Sequence, residues 1–176
     1  MNGRVENKGH KSRKMSVVLL TVLMLVLCMS VCTACGSSGD GADVHVEGEL
    51  TDILTQLYAD VDIDAETKEA MQGYITDVLT EENAQAFLGT SEVVYTEGLV
   101  SVPMMSPIPY QLVLLRVDTG DVETVKKALL DNADLNKWVC TSAETAIAEN
   151  VGDLVMFVMC EQYVADALSD SFQALK

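Results

Sequence analysis

Histidine is nearly missing from this sequence: His10 and His45 are the only two in 176 residues. A Ser-His-Asp or Cys-His arrangement needs its base packed against the nucleophile. His10 lies in a basic leader and His45 in a stretch that reads as a tether ("ADVHVEG"), so neither is a candidate catalyst. Zinc sites need several His and Cys ligands, and His45, Cys140 and Cys160 stand at no familiar spacing. Aromatics make up 5% of the chain, with a single Trp, which leaves little for a sugar-binding platform. A glycine-rich phosphate loop is also missing, because "GSSGDG" lies outside any strand-to-helix turn. No cofactor and no metal is expected.

Positive charge is the other shortage. Of 11 basic residues, Arg4, Lys8, Lys11, Arg13 and Lys14 fall in the first fourteen positions, against one acid there, Glu6. The remainder of the chain therefore holds six basic residues against 26 acids, a net charge of about −20. Such a surface repels phosphate backbones and anionic head groups, so no nucleic-acid partner is expected.

What is present at the start is an export signal. The basic leader is followed by an uncharged apolar run, "VVLLTVLMLVL" from Val17, and then by small residues at Thr33 and Ala34. Cleavage before Cys35 would make that cysteine the new N-terminus, where its thiol can take a diacylglyceryl group and its amine an acyl chain. "CTAC" resembles the bacterial lipoprotein box, with Cys32 where Leu, Val or Ile usually stands. An uncleaved membrane helix over residues 16–34 is the alternative, being close to the roughly 18–20 residues that span a bilayer. A plain anchor gives no reason for a cysteine, small residues before it and Gly/Ser after it. The expected organisation is a signal peptide over 1–34, a lipidated Cys35 with a flexible tether over 35–48, and one domain over 49–176. Removing 34 of the 176 residues leaves 142, enough for one core. Either reading places the domain outside the cytoplasm. The lipid reading puts it on the extracytoplasmic face of the cell membrane, and two acyl chains suffice for stable anchoring.

Along the domain, Leu50, Ile53, Leu54, Leu57 and Val61 form the stripe of an amphipathic helix. A second helix is expected within residues 65–78. A third runs from an N-cap at Thr80 to a stop at Gly89. "SEVVYTEGLVSV" reads as a hairpin or two short strands around "TEG". The only three prolines, Pro103, Pro107 and Pro109, make "PMMSPIPY" a loop, because proline lacks an amide donor and fixes its own φ. "YQLVLLRV" reads as a central strand, apolar on both faces, and a helix opens at Asp121. An extended piece around Trp138 follows. "AETAIAE" before "NVGD" is assigned to the first arm of a hairpin whose second arm is "DLVMFVMC", and residues 161–175 close the chain as a helix. The expected fold is α+β, a mainly antiparallel sheet with helices packed on it.

The second half of this pattern resembles the bacterial lipoprotein family catalogued as domain of unknown function 4358. The likeness lies in the order of an apolar strand, a helix opening acid-Val-X-X-Val-Lys, a Lys-Trp-X-Cys element, a Gly-Asp hairpin turn, a second apolar strand and a closing helix ending Phe-X-Ala. The matching residues are Lys137, Trp138, Cys140, Gly152, Asp153 and Phe172, within a resemblance covering roughly residues 50–176. Members often carry Arg before Lys-Trp, where this chain has Asn136. The resemblance implies the same fold and address, and it supplies no activity.

Four segments compete for chemistry. Asp60, Asp62, Asp64 and Glu66 suggest a calcium loop, but Ala65 stands where its glycine belongs and Met71 where its bidentate Glu belongs, so Asp64 is better read as a helix N-cap. Cys140 and Cys160 are expected as free thiols, Cys160 buried at the end of an apolar run. Lys137 and Trp138 could border a pocket, although a tryptophan in such a domain is more often core. Met104, Met105, Ile108 and Tyr110 in the proline loop either fold back under the domain or form an interaction surface. The leading expectation is a lipid-anchored, non-catalytic binding or interaction module. Its partner would be an envelope protein or a small molecule. The alternative is an envelope hydrolase with paired carboxylates.

Overall fold

The computed structural model of the protein describes residues 45–105 and 107–175. Cys35, the signal peptide and most of the expected tether lie outside the described residues. Within them, five helices and five strands follow one another as α1 (Leu50–Asp60), α2 (Ala65–Gln72), β1 (Ile75–Val78), α3 (Glu81–Leu88), β2 (Glu97–Val102), β3 (Gln111–Arg116), α4 (Val122–Asp131), β4 (Thr145–Val151), β5 (Leu154–Cys160) and α5 (Gln162–Gln173). The strands form one sheet in the order β1-β2-β3-β5-β4, antiparallel at every pairing. The fold is α+β with an antiparallel sheet, as the sequence pattern implies.

β3 is the middle strand, and all six of its residues are buried. Alternation along a strand sends successive side chains to opposite faces. Leu112 and Leu114 therefore join Met156 and Val158 in one core with Leu57 of α1, Met71 of α2 and Phe172 of α5. Val113 and Leu115 join Val155 and Phe157 in a second core with Leu88 of α3 and Leu129 of α4. The sheet is thus covered on both faces, which is why β3 and β5 are apolar throughout.

Local signals account for most element ends. Asp64 caps α2 through its side chain, accepting from the Thr67 amide at 3.0 Å. At α3 the Asn83 side chain accepts from the Thr80 amide at 2.7 Å, and Gly89 ends the helix at φ 74°. A side chain there would also drive its Cβ into the Asn132 carbonyl. Gly152, at φ 58°, opens the two-residue turn joining β4 to β5.

The helix expected within residues 65–78 occupies Ala65–Gln72, and Ile75–Val78 pairs with β2 as an edge strand. Three expectations need correction. The run "SEVVY" forms no strand, and β2 begins only at Glu97. Residues around Trp138 form turns rather than an extended piece, and Cys140 there takes φ 64°. The tether does not continue to residue 48: Val46 is buried in the first core, and Arg116 donates to the Gly48 carbonyl at 2.6 Å. No helix among the described residues is long and apolar enough to cross a membrane.

Candidate functional site

The two faces of the sheet hold different polar features. On the α1/α2/α5 face, three hydroxyls are buried together. Tyr58 of α1 donates to Ser101 Oγ of β2 at 2.8 Å, and its oxygen lies 2.9 Å from the Tyr110 hydroxyl. A phenol has one proton to give. With that of Tyr58 committed to Ser101, Tyr110 is the donor to Tyr58. Burial above all pushes both phenols well above their ordinary value; for Tyr58 the two hydrogen bonds oppose the rise.

Tyr110 also packs against Tyr74, their ring centroids 4.8 Å apart and tilted by 56°. From these rings a cavity of about 270 Å³ opens toward solvent, lined by Met71, Ile108 and Val164 as well as Tyr74, Tyr110 and Tyr163. Asp64, Glu66 and Glu161 complete the wall, and no basic residue among the described residues lines it. Burial raises Tyr74 first, and the proximity of Cys160, Tyr163 and Glu161 raises it further. The Cys160 thiol is pushed up to about 12 by burial, then by the carboxylates of Glu161, Asp166 and Glu144. Lys68, the one cation of α2, turns away to the Ala59 carbonyl at 3.0 Å. The side chains at the cavity's rim therefore carry formal negative charge over an aromatic and apolar interior. Asp64 is committed to the Thr67 amide.

Of the residues singled out in the proline loop, Met104 is 76% exposed, Met105 67% and Ile108 40%. Tyr110 is 3% exposed and is core, which corrects its assignment to a surface. Its hydroxyl and ring are both satisfied inward, although it still precedes β3. Ile108 belongs to both places, since it is partly exposed and lines the cavity.

Lys137 and Trp138 lie on the opposite face of the sheet. The Lys137 amine donates to the Ala86 carbonyl at 2.7 Å and to Gln111 Oε1 at 2.6 Å, while Gln111 donates to the Phe87 carbonyl at 2.7 Å. Carbonyls in the last turn of a helix have no partner within it. The lysine and glutamine thus close the end of α3, and the amine also sits 5.6 Å from the Phe87 ring centroid and 5.7 Å from that of Trp138. Burial lowers the Lys137 amine below its ordinary value, with Asp134 opposing. Lys137 lines a second cavity of about 240 Å³, whereas Trp138 packs half-buried on the second core. The arrangement is a strap between α3, β3 and the turn after α4.

His45 places Nδ1 2.6 Å from Asp153 Oδ2, and Arg116 Nη1 reaches the same oxygen at 3.4 Å. This group fastens the start of the domain to the β4–β5 turn. Cys140 is exposed and Cys160 buried, and both are free thiols. No three His, Cys, Asp or Glu side chains come together as a metal-binding group among the described residues.

A wider depression of about 690 Å³ lies between the start of α3 and residues 91–95. It lacks the converging buried hydroxyls and rings that mark the tyrosine-lined cavity. That cavity was missed in the sequence because its walls come from α2, the turn after it, the proline loop and α5. Four of the five tyrosines, Tyr58, Tyr74, Tyr110 and Tyr163, converge on this region, and no local sequence pattern announces it.

No family model, curated protein or solved structure matches the chain.

Proposed function

We propose that the chain is a non-catalytic binding module, lipid-anchored through Cys35 at the extracytoplasmic face of the cell membrane, and that its ligand enters the tyrosine-lined cavity. The observation that carries the binding site is the convergence of Tyr74, Tyr110 and Tyr163 on a cavity whose rim includes the exposed Ile108 of the proline loop. Aromatic and apolar walls with a few fixed polar groups are the usual composition of small-ligand sites. The volume of about 270 Å³ lies at the lower end for such sites, so the ligand is small or inserts only one side chain. The address rests on the basic leader, the apolar run and "CTAC", and on the resemblance to a lipoprotein family.

Ala70 lines the cavity from the exposed side of α2, where a larger side chain fills the opening without entering the core. A panel of small amphiphiles screened by NMR against the wild type is expected to shift Tyr74, Tyr163 and Ile108 signals, and Ala70→Trp is expected to abolish those shifts at unchanged melting temperature. Shifts that survive Ala70→Trp, or none at these residues from any probe, would remove the cavity as the ligand site.

A further inference from the structure

The cavity also specifies a class of ligand. We propose that it takes a small organic ammonium cation, the charge held among Tyr74, Tyr163 and Glu161 and the apolar body against Met71 and Ile108. This rests on the reading that the cavity is the ligand site.

Three observations select that class. Charge comes first: Asp64, Glu66 and Glu161 line the opening with no basic residue among the described lining side chains, and Glu161, which makes no side-chain capping bond at the start of α5, is the carboxylate left to meet a cation. The interior comes second. Tyrosine rings present electron-rich faces to a cation within about 6 Å, and a weakly hydrated ammonium gives up its water for them far more readily than a metal ion does. A metal ion also needs converging oxygen, nitrogen or sulfur ligands, and the apolar Met71, Ile108 and Val164 take those places. Size comes third, since about 270 Å³ accommodates a trimethylammonium or short alkylamine and little more.

The groups around Tyr74 give the electrostatics a direction. Glu161 acts on both Tyr74 and Cys160, and Asp166 and Glu144 add to its effect on Cys160. These carboxylates raise the cost of forming any anion in the cavity, and by the same sign they favour a cation entering it. Tyr163, half-exposed in the first turn of α5, stands beside Glu161 at the mouth, where an aromatic face and a carboxylate act on one charge together.

The test compares choline with 3,3-dimethylbutan-1-ol, which has the same shape without the charge, against the full chain in a non-ionic detergent. NMR titration of the Tyr74, Tyr163 and Ile108 signals is expected to give choline an affinity about tenfold or more above the alcohol. Glu161→Gln is expected to weaken choline about three- to tenfold at unchanged melting temperature without moving the alcohol, and Tyr163→Leu is expected to weaken choline by several-fold more than it weakens the alcohol. Equal affinities for the pair would overturn the cation while leaving an apolar ligand site standing. Choline that fails to shift these signals, in a protein where other amphiphiles do shift them, would sink the cation alone. Silence from every probe would remove both.

Discussion

Tyr58 is the hub of the buried hydroxyl chain, and replacing it with phenylalanine should cost more than replacing either neighbour. Tyr58, Ser101 and Tyr110 are all buried, and each hydroxyl has its partner within the chain of three. Tyr58→Phe removes two hydrogen bonds, each worth about 1 kcal/mol net, and strands the Tyr110 and Ser101 hydroxyls, so the expected loss is about 2–4 kcal/mol. Tyr110→Phe leaves Tyr58 still donating to Ser101 and should cost about 1 kcal/mol, as should Ser101→Ala. Removing all three hydroxyls at once leaves nothing unsatisfied. The triple variant is therefore expected within about 1 kcal/mol of wild type, more stable than Tyr58→Phe alone.

Urea denaturation of wild type and the four variants gives these values directly, because the surface exposed on unfolding, and hence the m-value, is unchanged. In thermal melts each kcal/mol corresponds to about 3–5 °C for a domain of this size. The reasoning fails if Tyr58→Phe costs no more than Tyr110→Phe, or if the triple variant loses the sum of the single losses. Either result would mean that the hydroxyls are solvated independently and that the cavity floor is not a connected network.

Cys160 offers a test by pH. Its ordinary value of 9.0 is raised to about 12 in the fold, so its contribution is complete below pH 9 and is lost as pH rises from 9 toward 12. Cys160 should contribute a fall of up to about 1.4 kcal/mol per pH unit there, and Cys160→Ala should make the slope between pH 9 and 10 shallower, the remainder coming from the buried tyrosines, whose phenols ionise at about 10 once unfolded. In the native protein at neutral pH a thiol reagent should titrate exposed Cys140 at once, and Cys160 only after denaturation. Met104→Asp with Met105→Asp should shift stability by no more than about 0.5 kcal/mol per site, because both side chains are largely exposed, and a fall of several kcal/mol would show that they pack in the core. Cys35→Ser should abolish labelling by a fatty acid analogue, and equal labelling of wild type and variant would shift the anchor to Cys32 or Cys28.

The parts of the fold that could be read in advance are those where one local rule suffices. The stripe on α1, the Thr80 to Gly89 limits of α3, the unbroken apolar runs of β3 and β5 and the glycine turn before β5 each need only their own residues. β1 could not be read this way. All four of its residues are exposed, so it has no buried face to impose a period, and it exists through its ladder to β2. The "SEVVY" run fails in the opposite sense: its composition suits a strand, yet no strand of the sheet pairs with it. Propensity describes a segment, whereas pairing is decided by which neighbours remain available.

Arg116 shows the same limit at a single residue. A charged side chain closing an apolar strand has to find acceptors if it is buried, since an unpaired buried charge costs several kcal/mol. Its position in "YQLVLLRV" therefore announces partners without naming them. The fold supplies the Gly48 carbonyl at 2.6 Å and the Asp153 carboxylate at 3.4 Å, with Glu97 at 3.5 Å from its Nε. The first of these draws the chain before α1 onto the sheet, and His45 then meets the same aspartate. Composition marks residues 45–48 as tether because they are polar and glycine-containing. Their order comes from the needs of an arginine in the middle of the sheet. The cavity follows the same logic, since each tyrosine is unremarkable in its own segment and only the crossing of α1, α2, β3 and α5 brings their polar ends and rings together.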